Sequence, residues 1–393
     1  MALNTVQVTD RLLALVQADD YAGFDPFDGL NSRLLQKTHL DRFGLVRLAW
    51  LQLFKRLPVN LRPLVSIPKK RNPKGVGLFL LGLLEDWQRT GQYSFLDEAL
   101  KLGDWLLANR CDAAEWGHHC WGYHFDWQAR AFYVPAGKPN IITTAYVGRA
   151  LIALAEASGR EVYLHAGIDA ARFVDSRLFT ETAGSSYYAY IPGERAFVHN
   201  ASLWGAALVV MGGRLSARPD MVDRGLFVAR QSALCQAENG SWAYGTLPHH
   251  QFVDGFHTGY NLEALSLIDD VSGMSEFREV IRKGFDYYKQ NFFLENGAAK
   301  YYDNNPYPLD THSAAQAILT LLKLAQTPED RQQADKVIRW AMDALYLPDK
   351  ARFIYQKDRY FTNRINYIRW TQAWAYYALA FYNRHKLDKG NGA

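Results

Sequence analysis

Apolar positions along the chain are grouped into segments that recur at a nearly constant spacing. Each segment has a small, polar start followed by an Ala-Leu or Ala-Ile pair, as in TTAYVGRALIAL and HTGYNLEALSL. Consecutive anchor alanines lie 53 to 61 residues apart, and GVGLFLLGLLED is a weaker sixth copy. The anchor alanines are Ala150, Ala207, Ala264, Ala317 and Ala378. Because these segments are apolar on nearly all sides, they predict buried inner helices.

A more amphipathic segment follows each apolar one, for example YSFLDEALKLGDWLLANR and SEFREVIRKGFDYYKQNFF. One helical hairpin cannot bury both of its faces, so hairpins of this kind stack on one another. Six of them predict an all-α fold, a closed (α/α)6 toroid that forms one domain over residues 1–393. Residues 1–74 supply N-terminal helices to that domain. An open superhelix of the armadillo or TPR type is the alternative; the count of about six and the apolar inner helices favour closure.

Loops rich in glycine and tyrosine connect each outer helix to the next inner one, as in TAGSSYYAYIPGERAFVH. Short aromatic runs beside Gly and Asn predict small β-hairpins in these loops. Every such loop precedes the start of an inner helix, so all of them should meet at one rim of the toroid. Loops held on a rigid scaffold are where binding and catalytic residues concentrate.

Polar residues occupy the same register at the start of the inner segments, seven positions before each anchor alanine. They are Thr143, Asn200, His257, Asp310 and Thr371. At the two threonines, N-capping of the helix is the favoured interpretation. Histidine is a poor cap, so His257 needs another reason, either catalysis or a structurally satisfied imidazole.

Two short motifs at this register combine a carboxylate with a histidine: Asp254-Gly-Phe-His257 and Asp310-Thr-His312. A carboxylate beside a histidine can select its tautomer and tune its basicity. Two carboxylates across a cleft can divide acid and base work on a glycosidic bond. We therefore predict that all four residues line one cleft at the rim.

Asp126 is a third candidate carboxylate, because Trp121 and Trp127 flank it and indole rings can stack on sugar faces. A carboxylate that orders its own loop is the alternative. The predicted catalytic set is Asp126, Asp254, His257, Asp310 and His312. The predicted substrate-binding set is Trp121, Trp127, His199, Asn200, Trp242, Tyr302, Arg369 and Trp370.

Charge and cysteine content narrow the range of functions. A net charge of +4 without a basic stripe argues against nucleic acid as a partner. No zinc-ligand spacing and no Gly-rich phosphate loop is found, so neither a metal nor a cofactor is predicted. Three cysteines are too few for a disulfide framework, and the start is not a signal peptide, so we expect a cytoplasmic location. Inner-helix N-termini and basic loop residues at the rim favour an acidic or phosphate-linked sugar, although nearby aspartates oppose this.

One basic stretch departs from the even mixture of charges. Between Asp41 and Glu85 there is no acidic residue, whereas nine lysines and arginines occur there. A basic amphipathic helix can lie on an anionic membrane surface, so residues 42–74 predict peripheral contact at the inner face of a membrane. A helix packed on the toroid with a solvated basic flank is the favoured alternative.

Five segments resemble the VpsJ-like proteins of bacterial polysaccharide-biosynthesis clusters, and the resemblance extends from about Tyr21 to Tyr382. They are GFDPFDGLNS, WGYHFDWQARAFYVPAGKPN, VDGFHTGYN, YYDNNPYPLDTHSAAQAI and YFTNRINYIRWTQAW. This resemblance implies action on an exopolysaccharide or its precursor, and more distantly an (α/α)6 fold like those of glycosidases, polysaccharide lyases and N-acylglucosamine 2-epimerases.

Three functions follow as hypotheses. The first is a carbohydrate-active enzyme that cleaves a glycosidic bond by carboxylate acid/base catalysis, as a hydrolase or, second to that, a lyase. Another is a sugar epimerase or isomerase that uses His257 and His312 as proton carriers. The third is a non-catalytic glycan-binding component of a membrane synthesis complex. The predicted partner in each case is an oligosaccharide or polysaccharide.

Overall fold

The computed structural model describes residues 4–128 and 133–387, and helices dominate it. The helices are α1 (Thr5–Ala18), α2 (Arg33–Lys37), α3 (Gly44–Arg56), α4 (Pro73–Thr90), α5 (Tyr93–Ala108), α6 (Ala113–Trp116), α7 (Ile141–Ser158), α8 (Glu161–Phe173), α9 (His199–Leu215), α10 (Pro219–Ala233), α11 (Gly255–Ser272), α12 (Arg278–Asn291), α13 (Thr311–Lys323), α14 (Pro328–Ala344) and α15 (Ala373–Leu387).

Six helices form a closed inner ring in the order α4, α7, α9, α11, α13, α15, with α15 packed back against α4. Each inner helix pairs with one outer helix; α5, α8, α10, α12 and α14 follow their partners in sequence, and α1 packs on α15. The inner helices α9, α11 and α13 bury most of their residues, whereas the outer helix α12 buries only Gly284, Phe285, Tyr287 and Tyr288. The predicted (α/α)6 toroid is therefore confirmed, and the open superhelix is excluded because the ring closes.

Most inner helices begin with an Asn or Asp cap at the same rim. Asn72, Asn140, Asp254 and Asp310 precede α4, α7, α11 and α13, and each side chain accepts a hydrogen bond from a backbone N–H of the first turn. The predicted cap Thr143 is instead the residue whose N–H bonds to Asn140, at 2.8 Å. An amide or carboxylate at the N-cap satisfies a donor that the helix leaves free.

Short strands are confined to the connecting loops, as the aromatic loop segments predicted. The strands are β1 (Trp127–Gln128), β2 (Tyr133–Val134), β3 (Phe179–Thr182), β4 (Ser185–Tyr188), β5 (Leu309–Asp310), β6 (Tyr346–Leu347), β7 (Arg352–Phe353), β8 (Gln356–Lys357) and β9 (Thr362–Asn363). Three antiparallel hairpins, β1–β2, β3–β4 and β6–β7, accompany a three-stranded sheet in the order β5-β8-β9. These strands hold the rim loops over the starts of the inner helices.

The centre of the ring is filled by aromatic side chains. Tyr146 of α7 contacts Trp204 of α9, Tyr260 of α11 and Trp374 of α15, with ring centroids 5.2, 6.1 and 5.6 Å away. The ammonium of Lys74, which is buried, lies 4.3 Å from the centroid of the Tyr146 ring. Burial, aided by the charge of Arg369, lowers the pKa of Lys74 well below its usual value. This plug closes the toroid beneath the rim.

Between Asp41 and Glu85, in the stretch without acidic residues, most of the nine lysines and arginines are buried or bonded to other parts of the protein. Arg62 pairs with Asp28 at 2.6 Å, Lys69 pairs with Asp19, and Arg71 pairs with Asp20. Arg47 donates to Gln128 Oε1 at 2.8 Å, and Lys74 is buried. The other four, which form no ion pair among the described residues, are Arg42, Lys55, Arg56 and Lys70.

Among the described residues, one helix has the length and composition of a membrane span. It is α7, and 72% of that segment is buried inside the protein. The ring position of α7 accounts for its apolar character, because a helix surrounded by protein needs no polar face.

Candidate active site

A cavity of about 450 Å³ opens at the rim, above the aromatic plug. Half of its 22 lining residues are Phe, Tyr or Trp, and eight are polar or charged. The aromatic residues are Phe27, Tyr123, Phe125, Trp127, Tyr190, Tyr244, Phe252, Phe256, Tyr301, Tyr302 and Trp370. The polar ones are Gln52, Lys55, Gln128, His249, His250, Asp254, His257 and Arg369. A concave, mostly apolar pocket with a few convergent polar groups is the usual form of a small-molecule site.

Asp254 and His257 form the most directly usable pair in this pocket. The Asp254 carboxylate accepts the backbone N–H of His257 at 2.8 Å and contacts His257 Nδ1 at 2.6 Å. Its side chain is 1% exposed, whereas that of His257 is 21% exposed. With Nδ1 donating to the carboxylate, Nε2 is left as an acceptor, and Nε2 has no hydrogen-bond partner among the described residues. This arrangement can take up a proton from a bound molecule.

Asp310 lies at the start of the neighbouring helix α13, at the same rim. Its carboxylate accepts the Ser313 N–H at 2.6 Å and the Trp370 indole N–H at 3.3 Å. Burial, reinforced by the charge of Asp254, raises the pKa of Asp310 to about 6. Trp370 therefore connects this carboxylate to the pocket wall.

His312 lies under the pocket rather than on its wall. Its ring stacks against Phe256 and Trp374, with centroids 4.8 and 4.6 Å away, and Nε2 shares a hydrogen bond with the Tyr260 hydroxyl. Burial, together with the charges of Lys74 and Arg369, lowers the pKa of His312 well below its usual value. The imidazole is therefore a neutral part of the aromatic plug.

Arg369 brings a positive charge to the pocket wall and is held by Asp25. Two bonds join them, from Nε to Oδ2 at 2.6 Å and from the terminal nitrogen to Oδ1 at 2.7 Å. Burial disfavours the charge of Arg369, but the Asp25 carboxylate outweighs this effect and raises the pKa of the guanidinium. Asp25, which belongs to the FDPFDGLNS segment, is thus a buried counter-ion for Arg369.

The predicted substrate-binding residues divide into two groups. Trp127, Tyr302, Arg369 and Trp370 line the pocket. Trp121, His199, Asn200 and Trp242 are buried in the core instead. The indole N–H groups of Trp121 and Trp242 donate to backbone carbonyls of Leu106 and Ser232, at 2.8 and 3.0 Å. Burial lowers the pKa of His199 to about 4. These four side chains are core residues whose polar atoms reach protein partners or face the interior.

Asp126 is placed apart from the other predicted carboxylates. The neighbours Phe125 and Trp127 line the pocket, whereas Asp126 Oδ1 accepts the backbone N–H of Ala136 at 2.6 Å, at the open end of the β1–β2 hairpin. This contact matches the loop-ordering alternative. It leaves Asp254 and Asp310 as the two predicted carboxylates that begin neighbouring inner helices.

Several pocket residues were missed from the sequence. Tyr244 contacts both His250 and His257, with ring centroids 5.0 and 4.6 Å away, and Tyr123 and Tyr190 share a hydroxyl–hydroxyl bond of 2.7 Å. Burial, with the charge of His249, lowers the pKa of His250 to about 4. The only sequence signal for these residues is their place in the same aromatic loops, because nothing in the local pattern shows which loop residues turn inward.

Solved structures share this architecture at low sequence identity. A sugar epimerase from a ruminal bacterium is 13% identical over 82% of this chain and 90% of its own, with a TM-score of 0.64. Cellobiose 2-epimerase from Bacillus thermoamylovorans is 9% identical over 80% and 89%, also with a TM-score of 0.64. An unsaturated glucuronyl hydrolase specific for heparin is 13% identical over 98% and 96%, with a TM-score of 0.63. At these identities the likeness shows a common fold, the six-hairpin (α/α)6 toroid.

No protein-family model and no curated protein sequence matches the chain. The resemblance to VpsJ-like proteins therefore stays a prediction. Within residues 4–128 and 133–387, no three His, Cys, Asp or Glu side chains are grouped as a metal site requires.

Proposed function

We propose that the protein is a carbohydrate-active enzyme that moves a proton on a bound sugar through His257, as a sugar epimerase or isomerase does. The observation that carries this proposal is the Asp254–His257 pair at the pocket wall. In such a reaction the imidazole removes a proton from the carbon beside a carbonyl, and the proton returns on the other face or at the next atom. The toroid fold shared with sugar epimerases supports the proposal.

The aromatic wall suits a sugar ring, whose C–H faces pack against indole and phenol rings. Trp127, Tyr244 and Trp370 line the pocket beside His257. The buried Arg369 guanidinium supplies a fixed positive charge near them, and such a charge stabilises an oxyanion that forms when the proton leaves. His249 lines the same pocket and is a second imidazole able to carry the returning proton.

Glycosidic cleavage is the second candidate, and Asp310 is the observation that favours it. A carboxyl with a pKa near 6 can remain protonated close to neutral pH and act as a general acid. Against cleavage, both oxygens of Asp254 contact His257, and the Asp310 carboxylate accepts hydrogen bonds from Ser313 and Trp370. Carboxylates engaged in this way are less free to attack or to activate water, so this candidate ranks second.

A mass-resolved product assay separates these functions. The purified protein is incubated with reducing oligosaccharides that carry neutral sugars or uronic acids. Epimerisation or isomerisation preserves the mass and changes the NMR spectrum, cleavage gives shorter products, and a non-catalytic binder changes neither. The His257→Gln protein serves as the control for a contaminating activity.

The cellular setting is part of the proposal. Action on an exopolysaccharide or its precursor rests on the VpsJ-like resemblance of the quoted segments, and a cytoplasmic location rests on the cysteine content. Altered polysaccharide in a strain that makes only the His257→Gln protein would support this setting. Unchanged polysaccharide would oppose it.

Peripheral membrane contact stays a proposal for the face around α3. Leu45, which is 84% exposed, lies in the first turn of this helix, between Arg42 and Arg47 in the sequence. Apolar side chains between cations are the pattern that binds anionic interfaces. Co-sedimentation with anionic but not neutral vesicles at low salt is expected, and no sedimentation at any salt concentration would contradict it.

A further inference from the structure

A second cavity, of about 860 Å³, lies beside the rim pocket. It shares four wall residues with that pocket: Gln52, Lys55, Tyr301 and Tyr302. We call this second cavity the outer groove; the C-terminal half of α3 forms one side, and Tyr355, Gln356, Asp358 and Phe361 form the other. Because the two cavities share these four residues, they adjoin each other, and we call the two together the cleft.

The cleft is closed at one end and open at the other. Below the pocket, Tyr146, Tyr260 and Trp374 fill the centre of the ring with their stacked and edge-on contacts. A chain whose end occupies the pocket can therefore leave only toward the rim, and the outer groove is the adjoining path.

Two cations stand where the pocket meets the outer groove. Lys55 lines both cavities, and the adjacent Arg56 lines the outer groove. Neither forms an ion pair among the described residues, whereas Arg62, Lys69 and Arg71 of the same stretch each have a carboxylate partner. The Lys55 ammonium lies 5.0 Å from the centroid of the Phe27 ring. Burial and the charge of Arg56 lower the pKa of Lys55, and the charge of Asp310 opposes them without outweighing them. A further anion beside Lys55 and Arg56 would therefore stabilise their charged forms.

The wall of the outer groove holds one carboxylate beside these two cations, and the Asp310 carboxylate also acts on Lys55. Asp358 is a carboxylate in its wall, and Asp358 Oδ1 accepts the backbone N–H of Arg359 at 2.6 Å within its own turn. No acidic residue occurs from position 42 to position 84, so α3 offers no competing anion. The groove also presents Tyr302 and Phe361 as flat surfaces on which sugar rings can lie.

We propose that the outer groove binds the continuing residues of an acidic oligosaccharide whose end sugar occupies the rim pocket, with Lys55 and Arg56 contacting its carboxylates. This inference rests on the proposed function, because it assumes a sugar in the pocket. It assigns a role to the acid-free stretch: internal pairing holds most of that stretch in place, and two unpaired cations face the cleft. The substrate is then a uronic-acid oligosaccharide rather than a free monosaccharide.

The test is a binding measurement with protein that carries His257→Gln, so that turnover does not interfere. The probes are galacturonate, glucuronate and mannuronate oligosaccharides of two to six residues, with cello-oligosaccharides of the same lengths as neutral counterparts. Calorimetry should show affinity rising with length for at least one acidic series and remaining weak for the neutral one. Affinity for the longer acidic probes should fall as salt is raised.

Variants that remove one positive charge test whether Lys55 and Arg56 contact the acidic oligosaccharide. Lys55→Met and Arg56→Met should each weaken binding of the longer acidic probes about three- to tenfold, with little change for neutral ones. Lys101→Met, on the far outer helix α5, is the matched control and should change nothing, because Lys101 is exposed and pairs with Glu98. Circular dichroism verifies that each variant is folded.

Three outcomes would overturn the groove assignment. They are an affinity that does not depend on length in any acidic series, an equal affinity for neutral chains, and unchanged binding of the acidic probes by both the Lys55→Met and the Arg56→Met proteins. The failure of the proposed function has a different signature. In that case, the acidic oligosaccharides bind with the expected length and charge dependence, but wild-type protein leaves them unchanged.

Discussion

One carboxylate serves two purposes in the rim pocket: Asp254 caps helix α11 through the backbone N–H of His257 at 2.8 Å, and it contacts the imidazole Nδ1 of the same residue at 2.6 Å. The cap fixes the position of the carboxylate, and the carboxylate fixes the tautomer of the ring. The fold and the candidate chemistry are therefore coupled at a single side chain, which the following substitutions can separate.

Asp254→Asn should lower activity while leaving the fold intact. Asparagine is as good an N-cap as aspartate, but its neutral amide stabilises a charged imidazole poorly and can select the wrong tautomer. We expect the turnover rate to fall by about 10² to 10⁴ with little change in unfolding temperature. Asp254→Ala should lose the cap as well and cost about 1 kcal/mol of stability. Undiminished activity of Asp254→Asn would contradict the role of the pair.

Asp310 should make stability depend on pH in the mildly acidic range. The folded protein raises the pKa of this carboxyl from 3.8 to about 6, so the folded state holds its proton more tightly than the unfolded chain does. The resulting stabilisation is complete below pH 4 and is lost as the pH rises to about 6. The difference in unfolding free energy between wild type and Asp310→Asn should therefore shift by up to about 3 kcal/mol over this range. Denaturant titrations at several pH values measure it, and a pH-independent difference would contradict the assignment.

The Asp25–Arg369 pair should behave as a buried ion pair in a double-mutant cycle. Both side chains are almost fully buried, 1% and 3% exposed. Asp25→Asn leaves the guanidinium without its counter-charge, so we expect a loss of about 3–5 kcal/mol. Arg369→Met in the same chain should restore part of that loss, because the buried charge is gone. Additive losses in urea unfolding would show that the two residues are not coupled.

Closure of the inner ring should depend on a glycine in α4. A Cβ atom at Gly82 would lie 2.6 Å from Cε1 of Tyr376 in α15, and a Cβ atom at Gly184 would meet nothing within 4 Å. Helix propensity alone favours alanine at Gly82 by about 0.5–1 kcal/mol. The steric conflict should reverse that sign and cost about 1–3 kcal/mol. Thermal unfolding compares Gly82→Ala with the Gly184→Ala control, and a stabilised Gly82→Ala would contradict this packing.

The fold was predictable from the sequence because the apolar repeat reports burial directly. The sequence did not show which positions of one repeat correspond to which positions of the next. Aligning the anchor alanines matched His257 with Asp310, whereas the helix caps show that Asp254 and Asp310 are equivalent and that His257 corresponds to Ser313. A shift of three residues is close to one helical turn, so it keeps the same residues facing inward and leaves the apolar pattern unchanged.

The candidate site was predictable only where local motifs show it. The spacing of Asp254 and His257 places both in the first turn of one helix, so their contact follows from helix geometry. The burial of Trp121 and Trp242 could not be predicted in this way, because an indole in an aromatic loop can face either the core or the pocket. The contribution of α3 depends on how an N-terminal segment docks onto a distant rim, which no local pattern specifies.

The most direct test of the account asks whether His257 moves a carbon-bound proton. Reducing sugars, neutral and uronic-acid-containing, are incubated with the protein in D₂O, and products are returned to H₂O before NMR and mass spectrometry. We predict that deuterium is retained at the carbon beside the carbonyl, that the chain length is unchanged, and that the His257→Gln protein incorporates no deuterium. Shortened products without carbon-bound deuterium, or labelling that persists in His257→Gln, would contradict it.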